Sequence, residues 1–209
     1  MANVSEKFGL RPYKSLNGAP WNNAQNRYTI ASNYGTAIFQ GDLVVPTAAG
    51  NIERYDVTAS SGAVKPIGVF NGVFYTDPTT KKPTFSNYYP GSIVASDISA
   101  FVVDDPDVIL KAAVCSSGTT MATVARTVIG NKASIISNTL NTTNGRGKLA
   151  INSSTATTST LPFQIIDVVD STATGADAFQ EVLVIYSTHT DNGSNVFIGG
   201  HAYRNPVGL

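Results

Sequence analysis

The chain contains few charged residues and no excess of either sign. Charged residues make up 13% of its 209 positions, about half the usual share, and 14 basic residues balance 14 acidic ones. A protein that binds nucleic acid or an anionic membrane is expected to carry a broad basic surface instead. The composition therefore predicts no nucleic-acid partner, and serine, threonine and asparagine supply the polar surface.

Cysteine and long hydrophobic runs are equally scarce. Cys115 is the only cysteine, which excludes an intrachain disulfide and a cysteine-based zinc cluster. No stretch approaches the roughly 18 apolar residues of a membrane span, and the first residues lack the basic and apolar regions of a secretory signal. We therefore expect no membrane partner, and we expect the protein to be made in a cytoplasm.

Histidine is also rare, and no catalytic motif accompanies it. The two histidines, His189 and His201, would each need a distant acid and a nucleophile to form a hydrolytic site. Neither G-x-S-x-G nor H-E-x-x-H occurs in the sequence. We predict that the chain is not an enzyme and uses no metal or cofactor. A hydrolase that uses either histidine with Asp191 is the catalytic alternative.

Two polar segments carry residue types that bind ions. Asp104, Asp105 and Asp107 form the densest carboxylate cluster, but their spacing does not fit an EF-hand, and aspartate before proline is a common turn former. Residues 145–148, Gly-Arg-Gly-Lys, lack the spacing of a phosphate-binding loop. Both segments are therefore predicted to be turns rather than Ca²⁺ or phosphate sites.

The first 30 residues predict an extended arm. Residues 8–13, Phe-Gly-Leu-Arg-Pro-Tyr, and residues 16–22, Leu-Asn-Gly-Ala-Pro-Trp-Asn, mix large apolar side chains with turn formers. Neither helical nor alternating periodicity survives there. To recover the entropy of ordering, such a segment must lie on another surface, either the flank of its own domain or a partner subunit.

The rest of the chain alternates short apolar runs with turn-rich segments. Residues 98–103, 108–114 and 163–169 predict strands, and residues 77–91 predict a loop. With at most one short helix, over residues 120–128, the pattern predicts an all-β fold, either a β-sandwich or a partly open β-barrel.

This pattern divides the chain into three parts. They are the arm over residues 1–30, a β-rich body over residues 31–203 and a tail over residues 204–209. A division of the body into two small lobes, near residues 116–145, is the alternative.

Four short motifs stand in order along nearly the whole chain, at residues 8–12, 16–22, 41–44 and 104–109. A fifth stretch, residues 141–161, is rich in asparagine, threonine and serine. Together they resemble the small head proteins of tailed bacteriophages, which are called decoration, cement or minor capsid proteins. In that family the motifs read as an "FGLRP…LNGxPWN" arm, a "GDxV" strand and a "DDPNV" hairpin. This chain departs from the pattern at residues 109–111 and continues past the expected end through residues 199–209.

The resemblance implies a virion protein on the outer surface of the capsid, where it binds the major capsid protein and forms a homotrimer. It assigns no catalytic residue. Arg11 is expected to face a carboxylate of the partner. The expected interface anchors are Phe8, Leu10, Arg11, Pro12, Tyr13 and Trp21. A carbohydrate-binding β-sandwich displayed on a virion surface for host attachment is the alternative, with Trp21, Tyr88 and Tyr89 as stacking platforms.

Overall fold

A computed structural model describes residues 7–56, 65–118, 120–136, 143–157, 161–169, 179–187, 190–191, 197–198 and 201–204. These residues are nearly all β, which confirms the predicted class. The strands are β1 (Arg11–Ser15), β2 (Asn26–Thr29), β3 (Ile38–Phe39), β4 (Leu43–Pro46), β5 (Ile52–Arg54), β6 (Gly68–Thr76), β7 (Pro83–Ser86), β8 (Tyr88–Tyr89), β9 (Ser99–Val103), β10 (Val108–Cys115), β11 (Lys132–Ile136), β12 (Ala150–Ala156), β13 (Phe163–Val169), β14 (Glu181–Tyr186), β15 (Thr190–Asp191) and β16 (Phe197–Ile198). Among the described residues, short 3-10 helices span Arg126–Val128 and Ala202–Arg204.

Five strands close into a small barrel in the order β10, β12, β11, β13, β14 and back to β10. The pair β10–β12 is parallel and the other pairs are antiparallel. In β10, alternation places Leu110, Ala112 and Val114 in the barrel core, where all three are fully buried. Lys111 lies on the other face and pairs with Glu181 of β14. The other face of β10 is buried as well, since Ile109, Ala113 and Cys115 are at most 3% exposed, and a continuous apolar run is typical of a strand covered on both faces.

A second sheet holds the strands in the order β2-β9-β6-β4-β5, with β7 paired to β6. Its own core includes Val44, Phe70 and Val102. A glycine in β6 permits close packing, because a Cβ at Gly68 would lie only 2.3 Å from the carbonyl oxygen of Val103. The sequence predicts a loop at residues 77–91, but this segment contains β7 and also β8, which pairs with β3. The expected loop is therefore wrong over those strands.

Residues 104–107 carry the chain from the second sheet into the barrel. The neighbouring strands β9 and β10 do not pair with each other, because β9 lies between β2 and β6 while β10 pairs with β1, β12 and β14. The hairpin implied by the resemblance is therefore wrong, since the edges of both strands already have other partners. The division of the body into two small lobes near residues 116–145 stays a prediction.

The N-terminal segment is part of this body. Strand β1 pairs antiparallel with β10 from Arg11 opposite Lys111 to Ser15 opposite Val108, and β2 forms one edge of the second sheet. Strand β12 pairs with β10 only from Val114 onwards, so β1 supplies partners for backbone groups of β10 that would otherwise be unpaired. Of the two surfaces left open for the segment, it lies on its own body, and residues 10–29 are not a separate arm. Residues 1–6 and 205–209 lie outside the described residues.

Candidate functional site: a cleft beside the first strand

A cleft of about 260 Å³ lies between the N-terminal segment and the second sheet. We call it the β1 cleft. It is lined by Phe8, Leu10, Arg11, Pro12, Trp21, Gln40, Gly41, Val69, Phe70, Asn71, Val103 and Arg146. The lining combines an apolar floor with two arginines.

Two glycines bring the N-terminal segment to the second sheet. Gly9 has a φ of +76° and Gly41 a φ of +92°, values that favour glycine. A Cβ at Gly9 would lie 3.0 Å from the Cα of Gly41, and Leu10 N–H donates to the Gly41 carbonyl at 2.9 Å. Gly41 N–H in turn donates to Phe70 of β6 at 2.9 Å. The motif at residues 8–12 is therefore held directly on the motif at residues 41–44.

The same turn also holds the segment that carries Arg146. Gly147 N–H donates to Gln40 at 2.7 Å, and Gln40 N–H donates to Gly145 at 3.1 Å. The Asp42 carboxylate fills the space beside Gly147, where a Cβ would lie 2.3 Å from Oδ1. As a result, Arg146 reaches the β1 cleft from a position 135 residues after Arg11. Arg146 was not predicted as a site residue from the sequence. Its position between two glycines was the sequence feature that could have indicated a close backbone approach there.

The two arginines give the cleft its positive charge. The guanidinium of Arg11 lies over the Phe8 ring, with Cζ 4.3 Å from the ring centroid. Burial and the nearby positive charge of Arg146 lower the pKa of Arg11, and Glu181 partly opposes them. Glu181 itself pairs with Lys111 at 2.8 Å. Among the described residues, no carboxylate forms an ion pair with Arg11 or Arg146.

The floor of the cleft is apolar and one side is a chain of amides. Leu10, Val69 and Val103 are each at most 2% exposed. Gln40 Nε2 donates to Asn71 Oδ1 at 3.0 Å, and Asn71 Nδ2 donates to Gln25 Oε1 at 2.8 Å. These bonds fix the amide orientations, so the polar side is ordered before any ligand arrives.

Most of the expected interface anchors meet in this cleft. Phe8, Arg11, Pro12 and Trp21 line it on its outer parts. Leu10 also lines it, but at 1% exposure it is a core residue, so its assignment as an interface anchor is corrected. Tyr13 is not a lining residue and is 52% exposed; the register of β1 shifts between Pro12 and Lys14, and such a bulge redirects a side chain.

The stacking platform for sugars does not form as expected. Tyr89 is fully buried, and its hydroxyl donates to the Tyr34 carbonyl at 2.9 Å. Tyr88 stacks on Phe39 with ring centroids 5.4 Å apart. A buried tyrosine has no free face for a sugar ring, so Tyr89 is corrected to a core residue.

His201 is also fully buried, between the two sheets. Its Nδ1 accepts a hydrogen bond from the Tyr203 N–H at 3.2 Å, and its ring meets Tyr186 edge-on at 4.8 Å. Burial lowers the pKa of His201 to about 4, so the ring is neutral at neutral pH. His189 lies outside the described residues.

Two of the three aspartates of residues 104–107 have separate side-chain partners. Asp104 accepts hydrogen bonds from Asn26 and from Tyr28, the latter at 2.5 Å, and Asp107 pairs with Arg204. Within the described ranges, no group of three or more His, Cys, Asp or Glu side chains is placed to hold a metal ion.

Comparison of the chain with protein-family models, curated proteins and solved structures found no match. In the described part of the chain, no helix is long and apolar enough to span a membrane. The functional proposals below therefore depend on the β1 cleft and on the motif resemblance.

Proposed function

We propose that the chain is a structural virion protein that binds the outer surface of a tailed-phage capsid and cements neighbouring major capsid subunits, without catalysis. It acts as a homotrimer in this proposal. One observation carries the proposal furthest: the four motifs of the resemblance, which are spread between residues 8 and 109, form one continuous region of the folded chain.

Backbone hydrogen bonds connect these motifs in pairs. Leu10 N–H donates to Gly41, which joins the first motif to the third. Leu16 N–H donates to the Asp107 carbonyl at 2.9 Å, which joins the second to the fourth. A set of motifs that assembles into one region supports a common task for them better than four isolated matches would.

The side chains of this region match the composition of protein interfaces. Tyr13 and Leu16 are each 52% exposed, and Trp21 and Arg11 line the adjacent cleft. Aromatic residues and arginine are enriched in interfaces and in their hot spots. Because β1 is already ordered by β10, binding does not have to order a free arm, which reduces its entropic cost. A preformed docking surface therefore replaces the flexible arm in the proposal.

Two measurements test the proposal together. Light scattering of the purified chain gives its oligomeric state, and co-sedimentation with expanded, empty heads that lack this protein gives binding. We expect a trimer that binds heads saturably. The double substitution Tyr13→Ser with Leu16→Ser should weaken head binding at least about tenfold, equal to about 1.4 kcal/mol.

Phe85→Ser is the matched control, because Phe85 is an exposed aromatic on β7, which pairs with β6 and not with the motif region. It should bind heads like the parent chain. A parent chain that stays monomeric and does not sediment with heads would show the proposal to be wrong.

A further inference from the structure

We propose that the β1 cleft binds a carboxylate side chain together with its apolar neighbour, both presented by an extended acidic segment of the partner protein. Under the proposed function that segment belongs to the capsid subunit, so the identity of the partner rests on that function. The chemistry of the ligand follows from the cleft alone.

The positive charge of the cleft favours an anionic ligand. Arg11 and Arg146 both line it, and no carboxylate of the described chain pairs with either. The Phe8 ring covers one face of the Arg11 guanidinium. A stacked guanidinium keeps its N–H edges available, and these match a carboxylate in a bidentate manner. One carboxylate between the two arginines would also reduce their mutual repulsion.

The apolar floor and the volume of the cleft favour a ligand that is larger than a single ion. A free phosphate or acetate would leave the partly exposed apolar surface of Phe8, Pro12 and Trp21 uncovered by the ligand. The volume of about 260 Å³ is below the roughly 300–1,000 Å³ of small-molecule pockets, and it has room for one or two side chains. An acidic residue next to an apolar one fits both properties.

The acids of this chain favour a different protein as the partner over a second copy. Asp107, Asp167 and Glu181 pair within the chain with Arg204, Arg126 and Lys111. Asp104 is occupied by side chains of β2. Asp77, Asp97 and Asp105 also accept hydrogen bonds within the chain. Glu53 of β5 is exposed, but its neighbours in the chain are Arg54 and the buried Ile52, so a second copy would not present an acidic residue beside an exposed apolar one there.

The chain contains a built-in reporter for this cleft. Trp21 is its only tryptophan and lines the cleft, so fluorescence and the single indole N–H resonance both report on ligands there. We would titrate the full chain with the peptide acetyl-Ala-Leu-Asp-Leu-Ala-amide, with its Asn analogue, and with sodium phosphate. We expect a saturable change with the Asp peptide and at least about tenfold weaker binding of the Asn peptide and of phosphate.

Charge-removing substitutions identify the residues responsible. Arg11→Gln and Arg146→Gln should each raise the dissociation constant of the Asp peptide about tenfold or more, and Arg11→Lys should fall between Arg11→Gln and the parent. Lys82→Gln removes an exposed positive charge from the turn between β6 and β7, outside the cleft, and should have no effect. Thermal unfolding of each variant confirms that it is folded.

Three results would overturn the inference: equal binding of the Asn peptide, phosphate binding as tight as peptide binding, or no response to any probe at millimolar concentration. Head co-sedimentation of the same variants separates this inference from the proposed function. If heads bind the parent and both glutamine variants equally, the inference fails and the function stands. If heads do not bind the parent but the Asp peptide does, the function fails and the cleft assignment stands.

Discussion

We predict that two buried ionisable residues, His201 and Asp42, make the free energy of unfolding depend on pH in opposite directions. A substitution at each residue can separate the two contributions. His201 is fully buried and its pKa falls from 6.5 to about 4. Asp42 is 3% exposed and its pKa rises from 3.8 to about 6, chiefly through burial. Both shifts arise because the folded interior disfavours the charged form.

The sign for His201 follows from proton uptake. Between pH 6.5 and about 4 the unfolded chain binds a proton at this residue and the folded chain does not, so stability is lost as pH falls through this window. The full shift corresponds to about 3 kcal/mol at about 1.4 kcal/mol per pKa unit. Asp104 and Asp105 raise the pKa of His201 and Arg204 lowers it, but burial is the largest cause.

Asp42 has the opposite sign. Between pH 3.8 and about 6 the folded chain keeps a proton that the unfolded chain has released, so stability is lost as pH rises. The size is again about 3 kcal/mol. The hydrogen bond from Phe39 N–H and the charge of Arg54 limit the shift, and burial exceeds both. In the parent chain the two effects therefore largely cancel between about pH 4 and 6.

Substituting one of the two residues should reveal how the other makes the free energy of unfolding depend on pH. In His201→Phe, the free energy of unfolding should fall by about 1–2 kcal/mol more than in the parent as pH rises from 4.5 to 6. In Asp42→Asn it should rise by a similar amount over the same range. Urea unfolding at fixed ionic strength, followed by tyrosine fluorescence at several pH values, measures both. Parallel pH profiles for the parent and the two variants would refute the reasoning.

Two further predictions concern packing. Leu10→Ala should lower the free energy of unfolding by about 2–5 kcal/mol, because Leu10 is 1% exposed and packs in the core cluster that joins the barrel to the second sheet, while Tyr13→Ala on the adjoining strand β1 should change it by less than about 1 kcal/mol; urea unfolding at pH 7 measures both. Gly68→Ala should lower the melting temperature by several degrees, because its Cβ would meet the Val103 carbonyl, whereas Gly35→Ala, with nothing within 4 Å, should not; equal melting temperatures would contradict the close approach.

Local pattern predicts the strands of this chain better than their partners. The apolar run at residues 108–114 identifies a strand but not a single core face, because Ile109 and Ala113 are buried like Leu110, and the all-β class follows from many such runs. Strand β10 pairs with β1, which begins 97 positions before it, and with β14, which begins 73 positions after it. No short window of the sequence contains that information. The hairpin expected at residues 104–107 fails for this reason, since a good turn sequence does not determine whether the flanking strands pair.

The N-terminal segment likewise shows that its local sequence predicts an extended conformation but not its contacts in the fold. Its sequence lacks periodicity because Gly9 and Pro12 interrupt it, which is why it is predicted to be extended and to need another surface. That prediction is compatible with an arm and with a strand, and the pairing of β1 with β10 and the contact between Gly9 and Gly41 distinguish them. The same contact brings Arg11 to Arg146. A pair of glycines that allows two backbones to touch thus creates the positive cleft that the separate motifs cannot reveal, and the peptide titration tests whether that cleft binds an acidic partner.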